Sequence, residues 1–396
     1  MRRTLCFILS LAFTPALQAE SLRSLLDRAW AQHPPAQTLE AQRGESAAQR
    51  VAADSLLPAP PAVVLSQRTD QFQRNTGQRE TYVGLALPLW LPGQRDARQN
   101  QAQTGQAALE AAIVAQRLKL AGELREAVWQ VQRAHAQGGI DAERAQTARL
   151  LAEDVAKRVQ AGELAKTDLN LAQNEWRSAQ ATLLQNRLAL QQAQQAYAAL
   201  TGVTTLPENS LESAQAQPLQ DGHPLLEEAR QAVAAAQAQL RVAAESRRDH
   251  PELELGGFRE RGDLGERYNN SIEFRLRIPL ATAARNQPLT AVAQTAFIRA
   301  QSEYTRLRLT LDYQLQQSQQ ALLAADQLLD LARQQRIAAL ENRDLIQKSF
   351  TLGEADLFAL LRARTAGFDA EQVFKQQEIA QALARARLNQ AQGVLP

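Results

Sequence analysis

Arg50-Val51-Ala52-Ala53-Asp54-Ser55 returns 191 positions later as Arg241-Val242-Ala243-Ala244-Glu245-Ser246. The same offset carries Leu87-Pro88-Leu89 to Ile278-Pro279-Leu280, Gly162-Glu163 to Gly353-Glu354, and Leu169 and Ala172 to Leu360 and Ala363. His33-Pro34 and His223-Pro224 follow with one residue of slippage. A shared bias toward Ala, Gln and Leu explains similar composition, but not proline and glycine held in one register. The chain is therefore internally duplicated. Each copy reads as helix, two strands, very long helix, tight turn and returning helix. The copies span residues 20–200 and 223–396, and the linker 201–222 is rich in Thr, Pro, Ser and Gly, as a boundary should be. The fold class is mainly α with a small β part.

The strands fall at about 61–67 and 80–90 in the first copy and 252–258 and 270–280 in the second. Ile272, Phe274, Leu276, Ile278 and Leu280 alternate with Glu273, Arg275 and Arg277. A period of two sends the apolar set to one face and the charged set to the other. Val83, Leu85, Leu87 and Leu89 repeat the pattern. Segments of about ten residues match a tilted membrane span, and the helical remainder offers little other sheet to join. Four strands leave open edges, which lipid forbids. Three chains would give twelve strands and a closed barrel, with Glu273, Arg275 and Arg277 lining water.

Helix-favouring sequence runs without proline from Gln94 to Gln160, and a second run from about Asn286 to Thr351 places Pro288 in its first turn. Each would reach roughly 100 Å at 1.5 Å per residue and needs lateral partners. Leu311, Leu315, Ser318, Leu322, Ala325 and Leu329 step by fours and threes, as a packed seam does. Leu118, Ala121, Leu124, Val128 and Val131 form a similar stripe, which His135 continues into a packed or neighbour-facing position. Gly138-Gly139 reads as a kink or loosening, because its counterpart Leu329-Asp330 lies in uninterrupted heptads. Gly162 and Gly353 read as the true tips.

Arg2, Arg3, the apolar stretch from Leu5 to Leu17, and Ala19 read as a signal peptide over residues 1–19. Of 44 basic and 42 acidic residues, removal of Arg2 and Arg3 leaves equal numbers, which argues against a nucleic-acid binder. The only cysteine, Cys6, falls inside that segment, so the mature chain has no disulfide and no thiol nucleophile. No later apolar run approaches the ~20 residues of a membrane-spanning helix.

The duplicated order, the (Leu/Ile)-Pro-Leu strand end and the Gly-Glu helix tip resemble the TolC-like outer membrane efflux family. Pro88 to Arg95, and Phe274 to Gln287 with Arg285-Asn286-Gln287, look most like its cobalt–zinc–cadmium branch. Pro288 and Pro92-Gly93 depart from that branch's glycines. The resemblance implies a homotrimer: a 12-stranded barrel in the outer membrane lipid, continued by a 12-helix periplasmic α-barrel. Tips at Gly162, Glu163, Gly353 and Glu354 would meet a periplasmic adaptor (a membrane fusion protein), itself joined to an inner-membrane RND-type transporter. The chain would be a passive duct, not an enzyme, with no cofactor and with heavy-metal cations as its cargo. Drug efflux, type I protein secretion and a soluble periplasmic coiled-coil scaffold are the alternatives.

Family members often place acidic gate residues six and nine positions past the second tip glycine. Here those positions hold Ala359 and Arg362, while Asp168 lies six past Gly162. The hypothesis this raises is a latch in which Arg362 pairs with Asp356 or Asp168; unchanged leakiness in Arg362→Ala would refute it. None of the four histidines, His33, His135, His223 and His250, has a second ligand at metal-binding spacing. No phosphate loop, zinc-protease helix or nucleophile elbow occurs.

Overall fold

The computed structural model describes residues 21–207, 210–214 and 217–396. The expected signal segment, with Cys6, lies outside the described residues. The elements are α1 (Leu22–Gln32), α2 (Pro34–Asp54), β1 (Ala62–Thr69), β2 (Arg79–Pro88), α3 (Gln94–Gln160), α4 (Lys166–Thr201), α5 (Pro224–Glu245), β3 (Glu252–Arg261), β4 (Asn269–Arg277), α6 (Ala283–Thr351) and α7 (Leu357–Ala391). The order α2-β1-β2-α3-α4 thus returns as α5-β3-β4-α6-α7. Helix α1 has no counterpart among the described residues.

Two prolines set matching starts. His33 and His223 lie outside the helix as N-caps, and Pro34 and Pro224 open α2 and α5, where a missing N–H costs nothing. Matching stops lie at Gly202 and Gly393, again 191 apart, with φ of 74° and 78°. A Cβ on Gly202 would lie 2.7 Å from the Gln32 side chain, and one on Gly393 2.7 Å from the His223 ring and Pro224. The end of α4 therefore abuts the α1–α2 junction, and the end of α7 abuts the start of α5. Each short pair runs as an interrupted column beside a continuous long helix.

Helix α3 packs on α2 and α4 and also on α5 and α7, whereas the main partners of α6 among the described residues are α5 and α7. Buried residues number twenty-one on α3 and seven on α6, which makes α3 an inner helix and α6 an edge. The seam Leu311, Leu315, Ala325, Leu329 is buried, and Leu309, Tyr313, Leu328 and Ile337 on α6 remain exposed. Helix α3 runs unbroken through Gly138-Gly139. His135 is exposed on the protomer, so the buried stripe ends at Val131. Helix α6 begins at Ala283, earlier than the sequence suggested. Pro288 is thus in its second turn, where the ring leaves the carbonyl four residues back without its usual donor.

Near the middle of α3, Leu22, Leu25, Leu26 and Ala29 of α1 pack on Leu120, Leu124 and Val128 of α3 and Tyr197 of α4. Nearby, Arg125 is buried on α3. Its Nε and a terminal nitrogen donate to Glu212 of the linker at 2.8 and 2.7 Å, and its other donors reach Gln390 at 2.6 Å and the Val394 carbonyl at 3.0 Å. Asn389 adds a bond to Glu212 at 3.0 Å. One guanidinium therefore fastens the linker and the end of α7 to the inner helix.

Candidate functional site: a two-faced sheet and two helix tips

The four strands form one antiparallel sheet in the order β1-β2-β3-β4, with no strand beyond β1 or β4 among the described residues. The registers align Val63 with Leu85, Leu255 and Phe274 in one row, and Leu65 with Val83, Gly257 and Ile272 in the next. All share a face. It is open to the surroundings: Leu65 is 72% exposed, Ile272 73% and Phe274 72%. Among the described residues no other element covers it.

The opposite face carries Glu254, Glu273, Arg275 and Arg277. Arg275 donates to Glu254 at 3.1 Å and to Glu273 at 2.7 Å, and its guanidinium lies 5.6 Å from the centre of the Tyr82 ring. Arg277 is exposed opposite Glu252 and forms no ion pair among the described residues. Tyr82 lies flat over two glycines. A Cβ on Gly84 would come 2.6 Å from its ring, and one on Gly256 2.7 Å from the ring and 2.5 Å from the Val83 carbonyl. The two glycines make room for the phenol against the sheet. Of the expected lumen residues, the sheet thus joins Glu273 and Arg275 in one cluster and leaves Arg277 apart. Tyr82, Gly84, Gly256 and Glu254 complete that cluster and were not singled out, because only cross-strand register brings them together.

Trp90 is half-buried at the junction of β2 and α3, with its indole N–H on the Ser55 carbonyl at 3.2 Å and His250 edge-on at 5.8 Å.

The far ends of the helices form two matched tips. Gly162 and Gly353 adopt φ of 81° and 78°, and the following N–H groups of Glu163 and Glu354 bond back to the Arg158 and Ser349 carbonyls, each at 2.9 Å. This is the left-handed closure that satisfies the last carbonyls of a helix. Any side chain at such a φ costs about 1–2 kcal/mol. Leu151, Val155, Phe350, Leu357 and Leu360 pack the two tips on each other. Leu352 and Phe358 are exposed beside Gly353, where the first tip has Ala161 and Thr167. The second tip therefore offers more apolar surface.

The acidic residues named as gate candidates have other employment. In the first tip Asp168 reaches back to the N–H of Ala165 at 3.1 Å; in the second Asp356 accepts the N–H of Ala359 at 2.7 Å. Each repeat keeps the opposite half of a reciprocal capping pair. Arg362 is exposed and pairs with neither carboxylate within the protomer, so a latch internal to one chain does not form. Arg364, two residues on, is half-buried. It bonds Gln347 at 3.1 Å, and burial, with Arg343 nearby, pushes its guanidinium below its ordinary range. Further along, Arg144 of α3 joins Glu175 of α4 at 2.9 Å to Asp369 of α7 at 3.6 Å and so couples the two hairpins.

Among the histidines, His223 is buried, its Nδ1 accepts the Leu225 N–H at 3.2 Å, and burial holds it below the ordinary imidazole range. His33 contacts Gln116 instead. No group of three or more metal-ligating side chains gathers among the described residues, and no described helix is long and apolar enough to cross a membrane.

Residues 16–203, the first repeat, match the family model described as outer membrane efflux protein. No curated protein matches the sequence. Among solved structures, the outer membrane protein VceC of Vibrio cholerae superimposes with a TM-score of 0.75 at 18% identity, over 94% of this chain and 96% of that one. CusC, solved in conformations of transmembrane channel formation, gives 0.76 at 18% over 94% and 92%. The open-state MtrE outer membrane channel of Neisseria gonorrhoeae gives 0.71 at 19% over 94% and 89%. The chain shares the fold of these outer-membrane channels, which are not enzymes.

Proposed function

We propose that this protein is the outer-membrane channel subunit of a tripartite efflux system, a passive exit duct assembled from three copies. The observation that carries the reading is the sheet. Its uncovered face is apolar along the rows of Val63 and Leu65, its other face is charged, and both edges are open, a combination that a lipid-embedded closed barrel resolves. Strand directions alternate through β1, β2, β3 and β4, so β4 of one copy meets β1 of the next antiparallel, and three copies close twelve strands. The helices fit the same ring: the exposed apolar side of α6 would cover the α2–α4 side of the adjacent copy. The duct would extend roughly 100 Å from the sheet, the length of α3 at 1.5 Å per residue, with its helical part in the periplasm.

The tips at Gly162 and Gly353 are then the surfaces for a periplasmic adaptor, through which an RND-type transporter delivers cargo. For that cargo we favour heavy-metal cations, on the resemblance of Phe274 to Gln287 to the metal-efflux branch. Purified protein should form pores in a planar bilayer, and a protein that washes from membranes without detergent would refute the channel reading. A deletion strain should be sensitive to divalent metals and rescued by the cloned chain. Sensitivity to dyes and detergents with normal metal tolerance would keep the duct but reassign its cargo to drugs.

A further inference from the structure

The apolar face of the sheet ends abruptly in arginine. Above the row Leu65, Val83, Gly257 and Ile272, the same face continues with Gln67, Thr81, Arg259 and Asn270, then with Thr69, Arg79 and Arg261. Arg79 and Arg261 are direct cross-strand partners, and Arg259 is one pleat away. Like charges set opposite one another destabilise a sheet unless something neutralises them. No ion pair among the described residues does so. Asp70 holds the Thr76 and Gly77 N–H groups, Asp263 and Glu266 accept from Leu264 and Gly262, and Glu80 faces the other side beside Arg68.

The arginines are nonetheless held in place. Arg259 and Arg261 lie over the single ring of Tyr268 at 4.1 and 5.0 Å, and Arg261 is further fixed by its Nε on the Gly77 carbonyl at 3.0 Å. Stacking and that one bond leave the terminal N–H groups of both guanidiniums unspent, in the planar fork that suits phosphate. The patch lies at the loop end of the strands, away from the helices, on the face that meets lipid.

We propose that Arg79, Arg259 and Arg261 bind the phosphate of a lipid headgroup in the outer leaflet, whose acyl chains lie along the apolar rows beneath. The assignment rests on the channel reading above. A lipid, rather than a free anion, is favoured because the charged cluster and the apolar band share one face and adjoin.

The detergent-solubilised trimer, observed by native mass spectrometry, tests this by titration with phosphatidic acid, phosphatidylcholine and inorganic phosphate. The wild type should retain phosphatidic acid over phosphatidylcholine. Binding should weaken roughly fivefold per arginine removed, from the attraction of one basic side chain to an anionic surface. Arg259→Gln with Arg261→Gln removes the stacked pair; Arg79→Gln alone leaves that stack intact and should still lose about fivefold. Equal phosphatidic acid binding by the variants, or its displacement by inorganic phosphate at equal concentration, would overturn the proposal. Bilayer conductance of the same samples separates the two readings. Wild-type pores in a variant that has lost the lipid support the site, whereas a wild type without pores removes the channel and the site with it.

Discussion

Phe274→Arg should abolish assembly into the outer membrane, while Glu273→Gln, one residue away, should leave it intact. The two side chains leave the same strand on opposite faces, and Phe274 is 72% exposed in the central apolar row. An arginine at the middle of a barrel's lipid face costs about 2–4 kcal/mol, and the proposed trimer would carry it three times, so roughly 6–12 kcal/mol would oppose assembly. Glu273→Gln removes one carboxylate from the water-facing side, where Glu254 still pairs with Arg275, and should alter conductance instead. Trimer yield in the membrane fraction measures both. A Phe274→Arg trimer at wild-type yield would mean that this face does not meet lipid.

Arg125→Ala should be the most destabilising single change in the helical part, by about 3–5 kcal/mol, the usual penalty for leaving one member of a buried ion pair without its partner. The Arg125 side chain is 3% exposed and Glu212 11%, so water cannot take over. The same truncation also strands Gln390 and the Val394 carbonyl, and loosens the linker and the chain end together. Adding Glu212→Leu should recover much of the loss, because an apolar replacement of a buried pair is often near neutral. Thermal unfolding followed by helical circular dichroism makes the comparison. The clamp would lose its importance if Arg125→Ala melted at the wild-type temperature, or if the double variant were no better than the single.

The architecture was readable because duplication and periodicity are properties of the chain itself. One offset of 191 fixed the paired tips, and alternation about Phe274 fixed the sheet's two faces. The same offset also relates Gly202 to Gly393, a signal present in the sequence that becomes meaningful only when both are seen to seat an α-helix end against the next column. Helix α1 was missed because it has no second copy against which to test a pattern. The capping role of the tip acids was not legible, because a carboxylate near a helix start serves a cap or a gate alike in sequence, and only backbone geometry shows the cap. Tyr82 over Gly84 and Gly256 depends on which strands are neighbours, which no local pattern encodes.

The sheet has a consequence for how the protein is made. Its apolar face and its two unpaired strand edges belong to one chain, yet neither is satisfied by that chain. A copy travelling through an aqueous compartment with the sheet already formed would present a template for aggregation. The helices are under no such restraint, since they bond internally and carry their own apolar clusters. On the proposed channel reading, biogenesis is therefore ordered by physics: helical hairpins first, strands kept apart, and the sheet completed only where lipid and two sister chains are at hand.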